Sequence, residues 1–293
     1  FNWIDQKTNS KILISSRVRD VLDGGGIVDV AVPSKDDAVK MLLSTAGMGA
    51  NALHGSAEIA RIAELCKRLP LTIGVAGKLI RQLSNGSSMS EASEWTEVTA
   101  LLEDEMNDPG GSLSIEESVI RASIKAIPAK IRPHVTQLFC GFALVPEDTL
   151  VPLPVLGLIF DACGAELAKP LSRLQVRRYL KVLIDRSLVL GTVDRPQLHD
   201  VMLDYVHKEL AGHKYQAAQR QLVEGLRKAD RSTSTPIGRY IHQHVPHHIK
   251  ESYDVAWERS KQAISWLEDH VGGVQGMISS SAASVLPAEA LAT

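Results

Sequence analysis

Residues 68–80 read RLPLTIGVAGKLI, and this stretch is compatible with either a phosphate-binding loop or a helix. A phosphate-binding loop needs the pattern G-x-x-x-x-G-K-[ST], in which backbone N–H groups surround the phosphates and a hydroxyl reaches Mg²⁺. Gly74 and Gly77 are too close together for that pattern, and Leu79 follows Lys78 where the hydroxyl is required. Pro70 has a fixed φ and no N–H, which suits the first turn of a helix. The stretch therefore predicts an apolar helix.

Composition is that of an ordinary globular chain, with 44% hydrophobic and 23% charged residues among 293. The formal net charge of −2 gives no electrostatic reason to expect nucleic acid or an acidic membrane as a partner. No apolar run approaches the ~20 residues that span a bilayer. The three cysteines are odd in number and far apart, which predicts free, buried thiols in a reducing compartment. We expect a cytoplasmic protein.

The first 33 residues predict strands. Lys11–Ser15 is apolar and β-branched, and Val28–Val32 alternates before Pro33 ends it. Two strands do not make a stable sheet, so residues 1–33 are interpreted as the last strands of a larger α/β core. The chain begins FNWIDQ, without Met, and we expect it to be a piece of a longer protein.

The remainder has helical patterning, so the predicted fold is mainly α with a remnant of an α/β sheet. A cluster of turn residues at Asn107–Gly111 separates two groups of helices. The second group ends in a hairpin pattern around Asp194–Pro196, which indicates a winged helix. The predicted domains are a helical domain (34–108), a winged helix (109–212), a second helical segment (213–270) and a disordered tail (271–293). Helices are predicted at Ala57–Leu65, Leu71–Leu83, Glu91–Met106, Ile115–Ile127, Ile131–Phe139, Val155–Cys163 and Ser172–Arg186.

Three short motifs, taken in order, resemble those of one family. Lys11-Ile-Leu-Ile-Ser-Ser-Arg17, Arg68-Leu-Pro-Leu71 and Leu198-His199-Asp200 look like the kilvTTR, GLPL and MHD motifs of NB-ARC domains. These domains are the nucleotide switches of STAND-class NTPases. The passage from Leu180 to Val206 resembles apoptotic protease-activating factors more than plant resistance proteins. The resemblance covers residues 1 to about 210.

The resemblance implies roles for five residues. Arg17, with Ser16 beside it, would contact the terminal phosphate, Leu69 and Pro70 would pack on the adenine and ribose, and His199 would donate to the β-phosphate of ADP. The cofactor would be ADP or ATP, with the P-loop, Walker B residues and Mg²⁺ ligands upstream of residue 1. The full-length protein would be at most a slow ATPase, and no catalytic residue is assigned in this chain. Nucleotide exchange would release the winged helix about a hinge near Asn107–Gly111. Self-association or a repeat sensor domain would then be the partner.

Two other functions remain open. A winged-helix transcriptional regulator would read DNA through the helix that carries Arg173, Arg177, Arg178 and Lys181. A degenerate scaffold would keep the fold without binding nucleotide. The run His242, His244, His247 and His248 resembles a metal site, but it lacks matching partners and Pro246 interrupts it, so we interpret it as a helix surface without metal.

Overall fold

The structure, a computed structural model, describes residues 28–49, 57–84, 92–107, 113–164, 171–253 and 260–266. The chain divides into two compact units, residues 1–32 and 33–293. Only residues 28–32 of the first unit are described, and they form no strand. The prediction of a strand at Val28–Val32 is wrong, because Val28 and Val30 are 82% and 94% exposed and the alternation marks no buried face. The predicted strand Lys11–Ser15 lies outside the described residues.

The second unit is mainly helical, which confirms the mainly α part of the predicted fold, while the α/β remnant, the winged helix and the domain boundaries stay predictions. Residues 260–266 are also helical, and no described helix is long and apolar enough to cross a membrane. The elements in chain order are α1 (Lys35–Ala46), α2 (Ala57–Leu65), α3 (Pro70–Leu83), α4 (Ala92–Met106), α5 (Ile115–Lys125), α6 (Arg132–Gly141), a 3-10 turn (Phe142–Leu144), α7 (Leu153–Cys163), α8 (Arg173–Asp185), β1 (Leu190–Thr192), β2 (Arg195–Gln197), α9 (Asp200–Glu209), α10 (His213–Lys228) and α11 (Pro236–Ser252).

Local residue chemistry accounts for where several helices begin. Ser34 accepts a hydrogen bond from the backbone N–H of Asp37 at the start of α1. Ser114 and Glu117 form a reciprocal capping box at the start of α5, and Ser172 does the same with Gln175 at α8. Each cap satisfies backbone donors that the first turn of a helix leaves unpaired. The starts of these helices are therefore encoded within four residues of sequence.

Helix α3 contacts α1, α4 and α5, and α2 packs on α1 and α4. Ile73, Ala76, Leu79 and Ile80 of α3 are fully buried, so the GVAGKL segment lies inside a core helix. This confirms the helical interpretation of residues 70–83. At Gly77 the helix has no room for a side chain, since a Cβ there would lie 2.7 Å from Thr45 Cβ on α1.

The second group of helices supports a short hairpin. Helices α6, α7 and α8 pack on one another, and β1 pairs antiparallel with β2, with Leu190 opposite Gln197. The predicted hairpin is confirmed, with strands of three residues each, but its turn is formed by residues 193 and 194, and Arg195 and Pro196, predicted as turn residues, belong to β2. Helix α9 packs on α6, and α10 packs on both α7 and α11. The predicted hinge falls mostly outside the described residues, at 108–111, and the predicted disordered tail lies wholly outside them.

Two buried charged side chains connect α5 to other parts of the helical unit. Arg186 follows α8, is 5% exposed, and donates to the carbonyl oxygens of Ser123 (3.0 Å) and Ala126 (3.2 Å) at the end of α5. Burial lowers the pKa of its guanidinium. On α4, the buried carboxylate of Glu105 pairs with Lys125 and with Arg121 (3.5 Å), both on α5. These contacts join α4 to α5, and the segment after α8 to α5, each through one buried charged group.

Candidate functional site

Leu69 and Pro70 stand at the exposed start of α3. Lys67 and Arg68 have φ of 49° and 59°, so the chain reverses after α2 through two successive left-handed residues. Leu69 is then extended and acts as N-cap without a side-chain hydrogen bond, and Pro70 is the first helical residue. Arg68 Nη1 donates to the carbonyl oxygen of Pro33 (3.2 Å), which helps to fix the turn. The turn presents an exposed proline ring beside a half-buried leucine.

The residues beneath this turn hold it but offer no reactive group. The buried Thr72 hydroxyl lies 2.8 Å from the carbonyl oxygen of Cys66 and 2.9 Å from that of Leu69, close enough to donate to either. Burial raises the pKa of the Cys66 thiol to about 12, although its contact with Thr72 opposes the shift. The thiol therefore stays protonated at neutral pH and is no nucleophile. What the turn can do chemically is to pack an apolar surface against a flat ligand.

All three cysteines are free thiols, as the sequence predicts. Cys66 is buried, whereas Cys140 and Cys163 are half-buried. Burial raises the pKa of each of the latter two to about 12 as well. None of the three has the electropositive, exposed surroundings of a reactive cysteine.

His199 lies at the exposed start of α9 and caps it. Its backbone is extended (φ −78°, ψ 146°), and its Nδ1 accepts a hydrogen bond from the backbone N–H of Val201 at 3.3 Å. The sequence favours Asp200 as N-cap, which is wrong, because Asp200 is already the first helical residue. Since Nδ1 accepts, a neutral His199 must carry its proton on Nε2. The site therefore presents an exposed N–H donor beside the positive end of a helix dipole.

A shallow depression lies next to His199, between the turn after the 3-10 helix and the end of β2. Asp148 in this turn is left-handed, with φ 55°, and it is exposed together with Glu147. Two carboxylates on the rim repel a phosphate, so an anion bound by His199 would have to stay outside the depression. The lining residues are Phe142, Val145, Pro146, Glu147, Asp148, Thr149, Gln197, Leu198 and Leu203.

The structure describes three of the five residues that are predicted to contact a nucleotide. Arg17 and Ser16 lie outside the described residues. Leu69 and Pro70 begin α3, which packs on α1, α4 and α5, whereas His199 begins α9, which packs on α6 and the 3-10 turn. Both places are exposed helix starts, but they belong to helices with different packing neighbours. Their joint use by one ligand stays a prediction.

The histidine run occupies α11, and one of its four members, His248, departs from the helix surface that the sequence indicates. His248 is fully buried, while His242 is exposed and His244 and His247 are half-buried. Pro246 lies inside the helix and does not end it. The four-residue spacing of His244 and His248 could have indicated a shared face directed at a neighbouring helix. Among the described residues, no group of three or more His, Cys, Asp or Glu side chains could hold a metal ion.

The basic helix α8 is partly neutralised by nearby acids. Arg177 pairs with Asp194 in the hairpin turn (2.9 Å), and Lys181 pairs with Asp185 one turn along the helix (2.9 Å). Arg173 and Arg178 are exposed on the same helix. A DNA-reading helix would need these cations for phosphate contacts, and two of the four already have a carboxylate partner.

Comparison with known proteins gives one distant likeness. No protein-family model matches the chain. An alignment of 187 positions, which covers 61% of this chain, is 25% identical to Disease resistance protein RML1B from Arabidopsis thaliana. The matched part spans 15% of the length of that protein. The likeness supports a distant NB-ARC-like relationship, and it is to a disease resistance protein rather than to an apoptotic factor.

Proposed function

We propose that this chain is part of an ADP- or ATP-dependent switch in an NB-ARC-type defence signalling protein. Leu69 and Pro70 contact the adenine and ribose, His199 donates to the β-phosphate of ADP, and Arg17 with Ser16 contacts the terminal phosphate of ATP. This sequence contains no G-x-x-x-x-G-K-[ST] loop, and no residue of it is assigned a role in hydrolysis. The distant likeness to a disease resistance protein supports the defence assignment.

The observation that carries the proposal is the hydrogen bonding of the His199 ring. The hydrogen bond from Val201 N–H to Nδ1 fixes the ring and leaves Nε2–H as an exposed donor. A hydrogen bond from a fixed donor to a charged phosphate is stronger than one between neutral groups. His199 also follows Leu198 directly after the hairpin, so a ligand bound there would hold the predicted winged helix in place.

The switch follows from unequal binding to two arrangements of the chain. A ligand shifts a conformational equilibrium only by the difference between its affinities for the two states. ADP held by His199 and by Pro70 favours the closed arrangement, since it contacts both helix starts. Exchange for ATP replaces the His199 contact with one to Arg17, which releases the winged helix and exposes a surface for self-association or for a repeat sensor domain.

We expect His199→Ala to weaken ADP binding about ten- to a hundredfold, because a hydrogen bond to a charged group contributes about 1.5–3 kcal/mol. Pro70→Ala is expected to weaken it less, since it removes only apolar contact with the base. Binding is measured by calorimetry on the protein that includes the phosphate-loop region which the resemblance places before residue 1. His213→Ala, at another exposed histidine that begins a helix, is the matched control.

The outcomes separate the three functions. Equal ADP affinity in the parent protein and in His199→Ala would remove His199 from the site. Absence of ADP binding in every variant would favour the degenerate scaffold. DNA binding that weakens with salt and is lost on replacing Arg173 and Arg178 would favour the transcriptional regulator.

A further inference from the structure

A buried chain of polar side chains joins α10 to α11. His248 on α11 is fully buried, and both of its ring nitrogens have partners. Nε2 lies 2.9 Å from the hydroxyl oxygen of Tyr240, and Nδ1 lies 2.8 Å from Oε1 of Gln219 on α10. Tyr240 is 2% exposed and Gln219 is fully buried, so water does not compete for these groups. His248 is therefore a structural residue of the interface between the two helices.

The contacts of Gln219 determine which nitrogen of His248 carries the proton. Gln219 Nε2 lies 3.2 Å from the carbonyl oxygen of Leu144 and 3.0 Å from the hydroxyl of Tyr215. A backbone carbonyl can only accept, so the amide nitrogen faces Leu144 and Oε1 faces His248. Nδ1 must then be the donor, and Nε2 accepts from the Tyr240 hydroxyl. Every polar group in this hydrogen-bonded series, from the Tyr240 hydroxyl to the Leu144 carbonyl, has a partner when His248 is neutral.

A second proton on His248 breaks this arrangement. It would sit on Nε2 and point at the Tyr240 oxygen, and the tyrosine hydroxyl would lose the acceptor that it has in the neutral state. The described part of the chain shows no other hydrogen bond for that hydroxyl. Protonation would therefore create both a buried charge and a buried donor without a partner, and each is unfavourable.

The charged and titratable groups near these buried side chains do not stabilise the charge of a protonated His248. Burial lowers the pKa of His248 well below 6.5, and the neighbouring His247 and His244 lower it further. Burial also lowers the pKa of His244 and of His247, although Glu251 opposes the shift at His247. The groups to consider are Tyr240, His244, His247, Lys250 and Glu251 on α11, Tyr215 and Arg220 on α10, His207 on α9, and Asp161 and Cys163 on α7. None of the acids among them raises the pKa of His248.

We propose that this chain of side chains is an acid-sensitive joint: protonation of His248 breaks the link from Tyr240 to Gln219 and releases α11 from α10. In the released state the ring is solvated and titrates near 6.5. Because its pKa is lower in the packed state, the joint is fully formed above pH 6.5. It weakens as the pH falls below that value, by about tenfold in the opening equilibrium for each pH unit and each proton bound. The joint does not depend on nucleotide binding.

The test is hydrogen exchange of the α11 amides in the complete chain between pH 7.5 and 5, corrected for the intrinsic pH dependence of exchange. The opening equilibrium of residues 236–252 is expected to rise as the pH falls below 6.5. His244 and His247 also contribute to the slope, so His248→Gln should reduce it by one proton. His242→Gln, at an exposed position of the same helix, should leave the slope unchanged.

Two results would contradict the proposal that His248 forms an acid-sensitive joint. One is a slope in His248→Gln equal to that of the parent chain. The other is opening of α5 and α8 with the same pH dependence as α11, which would indicate general acid unfolding. Nitrogen NMR of the imidazole gives an independent check, because the proposal requires the Nδ1–H tautomer in the folded chain.

A second variant keeps the proposal testable if His248→Gln does not fold. Tyr240→Phe retains the ring but removes the hydroxyl that donates to Nε2. The neutral packed state then loses the hydrogen bond from that hydroxyl to Nε2, so the α11 amides should exchange faster than in the parent chain at pH 7.5, where His248 is neutral. Equal exchange in Tyr240→Phe and in the parent chain at pH 7.5 would contradict the arrangement.

Discussion

Arg186→Ala is expected to destabilise the helical unit by about 2–4 kcal/mol, through the loss of two charge-assisted hydrogen bonds and a buried side chain. The guanidinium donates to the carbonyls of Ser123 and Ala126, where α5 ends and its carbonyls lack helical partners. Removing the guanidinium leaves the buried Ser123 carbonyl and the half-buried Ala126 carbonyl without their donor. The cost of burying the charge is relieved at the same time, which limits the effect. We expect the lost hydrogen bonds and packing to outweigh that relief.

Urea unfolding followed by circular dichroism at 222 nm measures the change. Arg186→Lys should recover only part of the stability, because one ammonium group cannot reach two carbonyls with the planar fork of a guanidinium. Arg178→Ala, at an exposed position on α8, is the matched control and should stay within about 0.5 kcal/mol of the parent chain. An Arg186→Ala chain as stable as the Arg178→Ala chain would show that the two hydrogen bonds contribute nothing net.

Gly77→Val is expected to destabilise the helical unit by about 2–3 kcal/mol, since added side-chain atoms would overlap the neighbouring helix. A Cβ at residue 77 would lie 2.7 Å from Thr45 Cβ and 3.1 Å from the backbone oxygen of Leu42. The threonine side chain has little freedom to move away, because its hydroxyl donates to the carbonyl oxygen of Met41 (2.8 Å). Helices α1 and α3 would have to separate.

Gly74 supplies the matched control for this prediction. It lies one turn earlier on the same helix, and a Cβ there would meet nothing within 4 Å. Gly74→Val should therefore be neutral or slightly stabilising, by up to about 0.5 kcal/mol, since valine has a higher helix propensity than glycine. Thermal unfolding of the two variants tests the packing directly. Equal loss of stability in both would mean that the close approach of α1 and α3 is not what Gly77 provides.

Helix positions could be predicted from sequence because their causes are local. The apolar spacing and capping residues place α2 at Ala57–Leu65 as predicted, and α3, α4, α7 and α8 within two residues of their predicted starts. The Asp194–Pro196 turn likewise indicated the hairpin. Each of these features depends on residues a few positions apart, which the sequence shows directly.

The predictions that the structure contradicts depend on the backbone conformation or on partners distant in sequence. The alternation of Val28–Val32 resembles a strand, but a strand also needs a neighbouring backbone and a buried face, and the exposed Val28 and Val30 show no such face. His199 rather than Asp200 caps α9, because either side chain can accept from the first turn and the backbone conformation decides which one does. The burial of His248 depends on Gln219, a partner 29 residues away.

Sequence alone determined the mainly helical fold, the helix at residues 70–83 in place of a phosphate-binding loop, and the set of motifs that the proposed nucleotide site would use. These rest on spacing and capping within a few residues, where backbone chemistry leaves few options. The tertiary structure decided which polar groups are buried and which groups are their hydrogen-bond partners. Arg186 meets Ser123 across 63 residues of chain, and the tautomer of His248 follows from the amide of Gln219. Such pairings depend on how helices pack, and packing brings together residues whose separation along the chain carries no periodic pattern.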